Sequence, residues 1–385
     1  MIKLIWKRKT KMSRIKYTQK AKRWVIKIGS ALLTKDGKGL DYDAINNWTE
    51  EMVQLRQQGI EIILVSSGSV AEGMSRMGWT KRPTELAELQ AAAAIGQTGL
   101  IEAYETQFKK HHIQAAQILL THDDVSNRKR YLNARNTLRA LLKFKALPII
   151  NENDTVALEE MRLGDNDTLA ALVANITEAE LLVILTDQQG LFDKDPRHNE
   201  DAKLITEERA GNQKLHKYVG EIKTSLGSGG MSTKLTAAQR AARSGCATII
   251  ASGREKNVLG RIAAGETIGT LLTPDDAHFS AKKQWIAGQV QASGTLYLDA
   301  GASHAIQTQG RSLLPIGVER SEGSFKRGDV VDCKNKDNQL IARGLINYSD
   351  KEVSLLAQKP SNKIGNILGY TGESELIHRD NLVVL

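Results

Sequence analysis

The stretch SLGSGGMSTK, residues 225–234, sets three glycines, three serines and a threonine ahead of one lysine. Glycines and small hydroxyl residues let backbone amides approach a phosphate closely. The stretch is not a P-loop, because that motif ends in Gly-Lys-Ser/Thr and follows an apolar strand, whereas Thr233 and Leu235 flank Lys234 here. Met231, Leu235, Ala238 and Ala242 recur at helical spacing and Gly245 supplies a stop, which predicts a helix with Lys234 in its first turn. A cation there opposes the helix macrodipole by about 0.3–1 kcal/mol. An anion bound at the same place would remove that conflict.

Further polar clusters stand where apolar runs end. In WVIKIGS, residues 24–30, Lys27 is embedded among Val25, Ile26 and Ile28 ahead of Gly29, a poor setting for an ordinary solvent-facing lysine. Ser66-Ser67-Gly68 follows the run IEIILV; it serves equally as a strand-to-helix turn or as an anion site at a helix start. LPIINENDTV carries Asn151, Glu152, Asn153 and Asp154. In GDNDTLAAL, one of Asp165 and Asp167 can cap the apolar helix that follows while the other points inward. An EF-hand is excluded there, because its third acidic position and its glycine are missing. TDQQGLFDKDP contains Gly190 and Pro196 and suits a turn-rich loop as well as a ligand contact.

The elements that must position these groups alternate. Apolar runs at 24–30, 60–70, 113–120, 146–154, 179–187 and 247–252 are separated by helical patterns such as DAINNWTEEMVQLRQQG, 43–59, which Gly59 ends. Strands apolar throughout predict a mainly parallel sheet covered by helices on both faces. Ligands of such sheets sit outside the carboxyl ends of the strands, where the polar clusters fall. After TPDDAHFSAKKQW the texture changes to GTLYLDAGASHAI, SLLPIGV, GDVVDC, LIARGLINYS and GNILGY, which read as short strands between glycine turns. The partition is a basic tail over 1–22, a catalytic domain over 23–274, a linker over 275–290 and a small β-rich domain over 291–385.

The chain has 385 residues, 41% of them hydrophobic, enough for two or three cored domains. Its net charge of +9 is local: residues 1–23 hold ten Lys/Arg and no Asp/Glu, so the rest sums to −1. The segment reads as a solvated, disordered tail, with Met12 offering an internal start. From residue 283 on, twelve Lys/Arg face eleven Asp/Glu, which leaves no electrostatic footprint for nucleic acid. No apolar run reaches a membrane span. Cys246 and Cys333 match no disulfide or zinc spacing, which predicts a reducing, cytoplasmic setting. His111, His112 and His122 lie outside the motifs and are read as surface or structural.

Taken together, VIKIGS, ILVSSGSV, LPIINENDTV, GDNDTLAALVA, LLVILTDQQGLFDKDPR and SGGMSTKL, in this order, resemble the amino acid kinase family, over about residues 22–385 with a C-terminal part similar to a PUA domain. Within the family the chain is most similar to the branch that phosphorylates the side-chain carboxylate of glutamate to open proline biosynthesis. Other branches, acting on acetylglutamate, aspartate or uridylate, are not expected to combine INEND with GDNDTLAAL and a PUA tail. The resemblance implies a three-layer αβα sandwich with a small β-barrel-like domain attached. It implies Lys27 and Lys234 as the catalytic lysines, with Asp167 the carboxylate that holds both. Ser67, the Gly68 amide, Asn151, Asp154 and Asn166 are the implied glutamate contacts. Lys27, Thr186, Asp187, Ser228, Gly229, Gly230, Met231, Ser232, Thr233 and Lys234 are the implied ATP contacts. Mg²⁺ would arrive with the nucleotide and keep several waters, with no protein ligand named. Proline as feedback inhibitor, a homo-oligomer (dimer or tetramer) and a separate glutamyl-phosphate reductase are implied too. Two positions depart from the usual pattern: Ser69-Val70 replaces alanine and an aliphatic residue, placing a hydroxyl beside the implied glutamate site, and Ser228 stands where threonine is common. A competing class is an RNA-binding protein acting through the PUA-like part and the basic tail; the near-neutral charge after residue 283 argues against it.

Overall fold

The computed structural model describes residues 14–35, 39–121, 123–124, 128–156, 166–220, 230–274, 292–370 and 372–385. The chain divides into two units, Met1–His278 and Phe279–Leu385.

The first unit is built on eight strands: β1 (Arg23–Ile28), β2 (Glu61–Val65), β3 (Ala115–Leu120), β4 (Leu147–Glu152), β5 (Leu181–Thr186), β6 (Glu207–Arg209), β7 (Ala247–Ser252) and β8 (Thr270–Thr273). They form one sheet in the order β3-β4-β2-β1-β5-β7-β8-β6. Every pairing is parallel except β7 with β8. β4, β5 and β7 are buried at every position, which is why their sequences run apolar without alternation.

Alternate side chains still go to opposite faces and found two cores. Trp24, Ile26 and Ile28 of β1 pack with Trp48 and Met52 of helix Tyr42–Gln57 and with Tyr104 and Phe108 of helix Leu86–Lys109. Val25 of β1 packs instead with Leu169 and Val173 of helix Asn166–Thr177 and with Leu235 and Ala238 of helix Met231–Ala242. Lys27, two residues after Val25, therefore enters the second layer at the carboxyl end of the strand. The 42–57 helix starts at Asp41, whose side chain accepts from the Ala44 amide, and gives way at Gly59, φ +86°. The sheet between two helical layers is the architecture the alternating apolar runs predict.

The expected tail is corrected from residue 14 onward. Residues 14–18 form a helical turn, and the fully buried Arg14 guanidinium donates to the carbonyls of Thr206 at 2.6 Å, Ile268 at 2.7 Å, Gly269 at 2.9 Å and Glu266 at 3.3 Å. Tyr17 and Ala21 pack on the first core. A count of charges treats every arginine as solvated, but a guanidinium carries five donors and exchanges water for carbonyls when a loop presents them. Residues 1–13 lie outside the described residues.

In the second unit, five strands take the order β10-β9-β11-β12-β13; these are β9 (Gly294–Leu298), β10 (Val318–Gly323), β11 (Val330–Lys334), β12 (Leu340–Leu345) and β13 (Leu382–Val384). Only β9 and β11 pair in parallel. Two stretches read as strands contain helix. GTLYLDAGASHAI is strand only to Leu298, after which Asp299 accepts from the Ala302 amide and caps helix Ala300–Gln309. GNILGY belongs to helix Ile364–Leu368, whose Ile364, Ile367 and Leu368 fall at helical spacing onto the core of this unit and which Gly369 closes at φ +76°.

Candidate active site

Lys27 and Lys234 converge on one carboxylate. Lys27 Nζ lies 2.6 Å from Asp167 Oδ1, and Lys234 Nζ lies 3.1 Å from Asp167 Oδ2. Thr233 Oγ1 donates to the same Oδ2 at 2.7 Å. The three charged side chains come from β1 and from the first turns of the 166–177 and 231–242 helices, and none is more than 7% exposed. Burial alone would push the Asp167 carboxyl up, but the two ammonium groups outweigh it and hold the group well below the usual carboxylate range. Two ammonium charges against one carboxylate leave the trio net positive.

The preceding residue joins a second, uncharged cluster. Asn166 Nδ2 reaches the Ser66 carbonyl at 2.8 Å, Asn151 Oδ1 at 2.8 Å and Ser67 Oγ at 2.9 Å. The first two only accept, which fixes the orientation of the amide. An amide nitrogen has two hydrogens for these three oxygens, so the Ser67 hydroxyl shares one and retains its own proton for another acceptor. Asn166 Oδ1 is buried with no partner among the described residues, an acceptor that suits an ammonium ligand. Asn151 Oδ1 also accepts from the Glu152 amide at 2.9 Å, and Asn151 Nδ2 donates to Gln97 Oε1 at 2.7 Å.

Asp154 opens a 3₁₀ turn directly after β4 and accepts from Ser69 Oγ at 3.1 Å. Burial, then the neighbouring Glu152, push its carboxyl up to about 6, against the Ser69 bond and Arg82. It lines a cavity of about 330 Å³ together with Gln97, Thr98, Gln117 and Glu152. A cavity of about 810 Å³ lies elsewhere, between the 42–57 helix and residues 253–257, and holds none of these groups. The smaller cavity, which holds Glu152, Asn153 and Asp154 from the end of β4, and the trio are therefore the candidate site.

The remaining sequence candidates distribute as follows. Gly68 is the N-cap of helix Ser69–Arg76 at φ +99°, a left-handed conformation that costs glycine nothing. Thr186, at the end of β5, is buried and donates to the exposed Asp187 at 3.0 Å. Gly230 is the extended N-cap of the 231–242 helix; Met231 is buried in the second core, and Ser232 occupies the first turn. Ser228, Gly229 and Asp165 lie outside the described residues. No group of three His, Cys, Asp or Glu side chains among the described residues is placed to hold a metal ion.

Gln97 and Tyr104, whose hydroxyl bonds Ser66 Oγ at 3.1 Å, complete the site and stand outside the sequence candidates, whereas Ser69, singled out in the sequence as a hydroxyl beside the implied glutamate site, meets Asp154. For Gln97 a signal existed: it is the polar residue that directly follows the small, apolar run AAAAIG, 91–96, of the 86–109 helix. That run lets two helices touch. A Cβ at Gly96 would fall 1.9 Å from the Ser69 carbonyl oxygen, and one at Gly73 would fall 1.8 Å from that of Ala92. The small residues thus fix where the 69–76 helix begins.

The arrangement suits phosphate oxygens at the trio and a small zwitterion at the adjoining cluster. The amino acid kinase family model matches residues 22–252, and the PUA domain model matches 294–368. The chain is 60% identical over 366 residues to the glutamate 5-kinase of Thioalkalivibrio sulfidiphilus, spanning 95% of this chain and 98% of that protein. It is 58% identical over 366 residues to the glutamate 5-kinase of Hydrogenovibrio crunogenus, spanning 95% and 97%. Among solved structures, the carbamate kinase of Giardia lamblia bound to AMP-PNP is similar at a TM-score of 0.49 and 16% identity, over 67% of this chain and all of that one. The UMP kinase of Bacillus anthracis is similar at a TM-score of 0.46 and 17% identity, over 66% and 97%.

Proposed function

The chain belongs to the amino acid kinase family, and from that premise we propose that it transfers the γ-phosphoryl group of ATP to the side-chain carboxylate of L-glutamate, giving L-glutamyl 5-phosphate and ADP. The observation that carries the reading is the join between Asn166 and Asp167: one residue belongs to the neutral cluster, the next to the cationic trio, so acceptor and phosphoryl donor meet at one helix start. The near full-length likeness to proteins named glutamate 5-kinase supports the choice of glutamate.

A carboxylate acceptor is ionised at neutral pH, so its attack needs no general base. A carboxylate oxygen forms the new bond to the γ-phosphorus, the bond from phosphorus to the β,γ-bridging oxygen breaks, and its electron pair leaves with ADP. The protein's task is in-line positioning and neutralisation of charge on the migrating group. One of Lys27 and Lys234 meets the transferring phosphoryl and the other the leaving phosphates, with Asp167 holding both ammonium groups in place. The Ser67 hydroxyl and the Gly68 amide at the 69–76 helix start receive a substrate carboxylate; Asp154 and Asn166 Oδ1 receive its ammonium. Both Asp167 oxygens are engaged by lysines, so a Mg²⁺ would come with the nucleotide and not through this carboxylate, and would supply neutralisation of phosphate charge.

In the same reading Thr186, Asp187 and the 228–234 loop line the nucleotide, proline competes at the glutamate site, and a separate glutamyl-phosphate reductase consumes the acyl phosphate in the cytoplasm. The kinase unit assembles as a homo-oligomer, dimer or tetramer. The test is purified protein with ATP, Mg²⁺ and an amino acid, trapping acyl phosphate with hydroxylamine and titrating proline. Hydroxamate with glutamate supports the reading; a signal confined to aspartate or N-acetylglutamate reassigns the substrate.

A further inference from the structure

We infer that Ser69 is a positioning residue for glutamate: its hydroxyl fixes the Asp154 carboxylate in the orientation that meets the substrate's ammonium. The inference rests on the proposed role of Asp154 in holding that ammonium.

The contact is built from both sides. Ser69 is 4% exposed and Asp154 8%, and Ser69 Oγ lies 3.1 Å from Asp154 Oδ2. A carboxylate accepts only, so the hydroxyl donates. Neither group can drift. Gly68 begins the 69–76 helix from a left-handed conformation, and the Gly96 contact pins the Ser69 carbonyl, so the hydroxyl leaves a fixed backbone. Asp154 is fixed by the 3₁₀ turn that follows β4. With Oδ2 engaged, Oδ1 is the oxygen left for the cavity.

The charged groups acting on Asp154 are Glu152, from β4, and Arg82, ahead of the 86–109 helix; that helix presents the neutral Gln97 and Thr98. Glu152 and burial favour the protonated acid, which cannot hold an ammonium. The hydroxyl favours the carboxylate, so Ser69 sets how far into acid the site still takes glutamate. Its loss is therefore expected to cost most at low pH, a signature that packing alone does not produce.

The experiment is kcat/KM for glutamate from pH 5.5 to 9, at saturating ATP, for the wild type and for Ser69→Ala, Ser69→Cys, Ser69→Thr and Asp154→Asn. The wild-type acid limb is expected near pH 6. In Ser69→Ala and in the near-isosteric Ser69→Cys the limb moves up by about one pH unit, so kcat/KM falls roughly tenfold below the limb and little at pH 9, with kcat within about twofold. Ser69→Thr keeps the hydroxyl and restores the limb. Profiles of the alanine and cysteine variants parallel to the wild type overturn the inference while Asp154→Asn still raises the glutamate KM. If Asp154→Asn leaves that KM unchanged, the assignment of Asp154 fails, and the inference with it.

Discussion

Replacing Lys234 by Met separates the catalytic use of the trio from its contribution to stability. At 3.1 Å from Asp167, the Lys234 ammonium gains about 5 kcal/mol of attraction at an effective dielectric of about 20. Against that stand a desolvation penalty of several kcal/mol for a buried ion, repulsion from the Lys27 ammonium on the same carboxylate, and about 0.3–1 kcal/mol from the unfavourable end of the helix dipole. These contributions roughly cancel. Methionine fills the volume, and Asp167 keeps Lys27 and the Thr233 hydroxyl as partners. The ligand-free Lys234→Met protein is therefore expected to melt within a few degrees of the wild type. Its kcat should fall by about 10³–10⁵, the range for a cation aimed at a transferring phosphoryl group, with the glutamate KM little changed. Asp167→Asn is the contrasting variant: it leaves two buried ammonium groups without their carboxylate and should cost about 3–5 kcal/mol of stability. Thermal denaturation without ligand and hydroxamate trapping under saturating substrates check both halves. A Lys234→Met protein as unstable as Asp167→Asn refutes the charge argument, and one active within tenfold of the wild type removes Lys234 from phosphoryl transfer.

Asp154 has a raised carboxyl in the folded state, so the stability linked to it is present below its unfolded value near 3.8 and is lost as pH rises through about 6. Asp154→Asn should accordingly stabilise the ligand-free protein by up to about 3 kcal/mol at pH 8 and hardly at pH 4, read by urea denaturation at the two pH values, with glutamate no longer raising the melting temperature. Asp167 has the opposite sign: its stabilisation is complete above the ordinary carboxylate range, so the stability deficit of Asp167→Asn should persist through mild acid and begin to shrink only as pH falls below the unfolded value near 3.8. Gly96→Ala drives a methyl into the Ser69 carbonyl and should cost about 1–3 kcal/mol while raising the glutamate KM, since the Ser69 hydroxyl moves with its backbone. Arg14→Ala strands four carbonyls at the edge of the sheet and should cost about 3–5 kcal/mol, with kcat unchanged in the intact fraction, as calorimetry and activity on one preparation would show.

The sheet was legible because its central strands are buried on both faces, so hydrophobicity alone marks them, and glycines with left-handed backbones stop several of the helices. The small domain was less legible, since short helices and short strands of four to six residues share one apolar texture. There, Ser349 at the N-cap and Glu352 in the first turn form a capping box at the start of helix Asp350–Leu356, a local signal in the sequence that distinguishes this helix from a strand. In the site, the motif residues could be named because they stand at the carboxyl ends of strands. The partners of Gln97 and Ser69 could not be named, because those contacts depend on a helix crossing permitted by Gly73 and Gly96, and nothing local to either residue reports which helix it will meet. The contacts of Arg14 are illegible for the same reason: its acceptors lie 192 to 255 residues further along the chain.

The proposed function accounts for the position of Lys234. Two helices begin here, and their first turns carry charges of opposite sign. Asp167 stands at the favourable end of its helix and Lys234 at the unfavourable end of its own. A fold selected for stability alone would place neither a buried lysine at a helix start nor a second lysine on the same carboxylate. Asp167 reconciles them only in part, because it has one charge to offer two. In the proposed reaction the rest is reconciled by an anion with several oxygens, which accepts from both ammonium groups and from helix amides, and whose charge changes hands as the phosphoryl moves. The strain in the ligand-free protein and its affinity for ATP phosphates are then one quantity seen from two sides, so nucleotide should stabilise the wild type by more than it stabilises Lys234→Met.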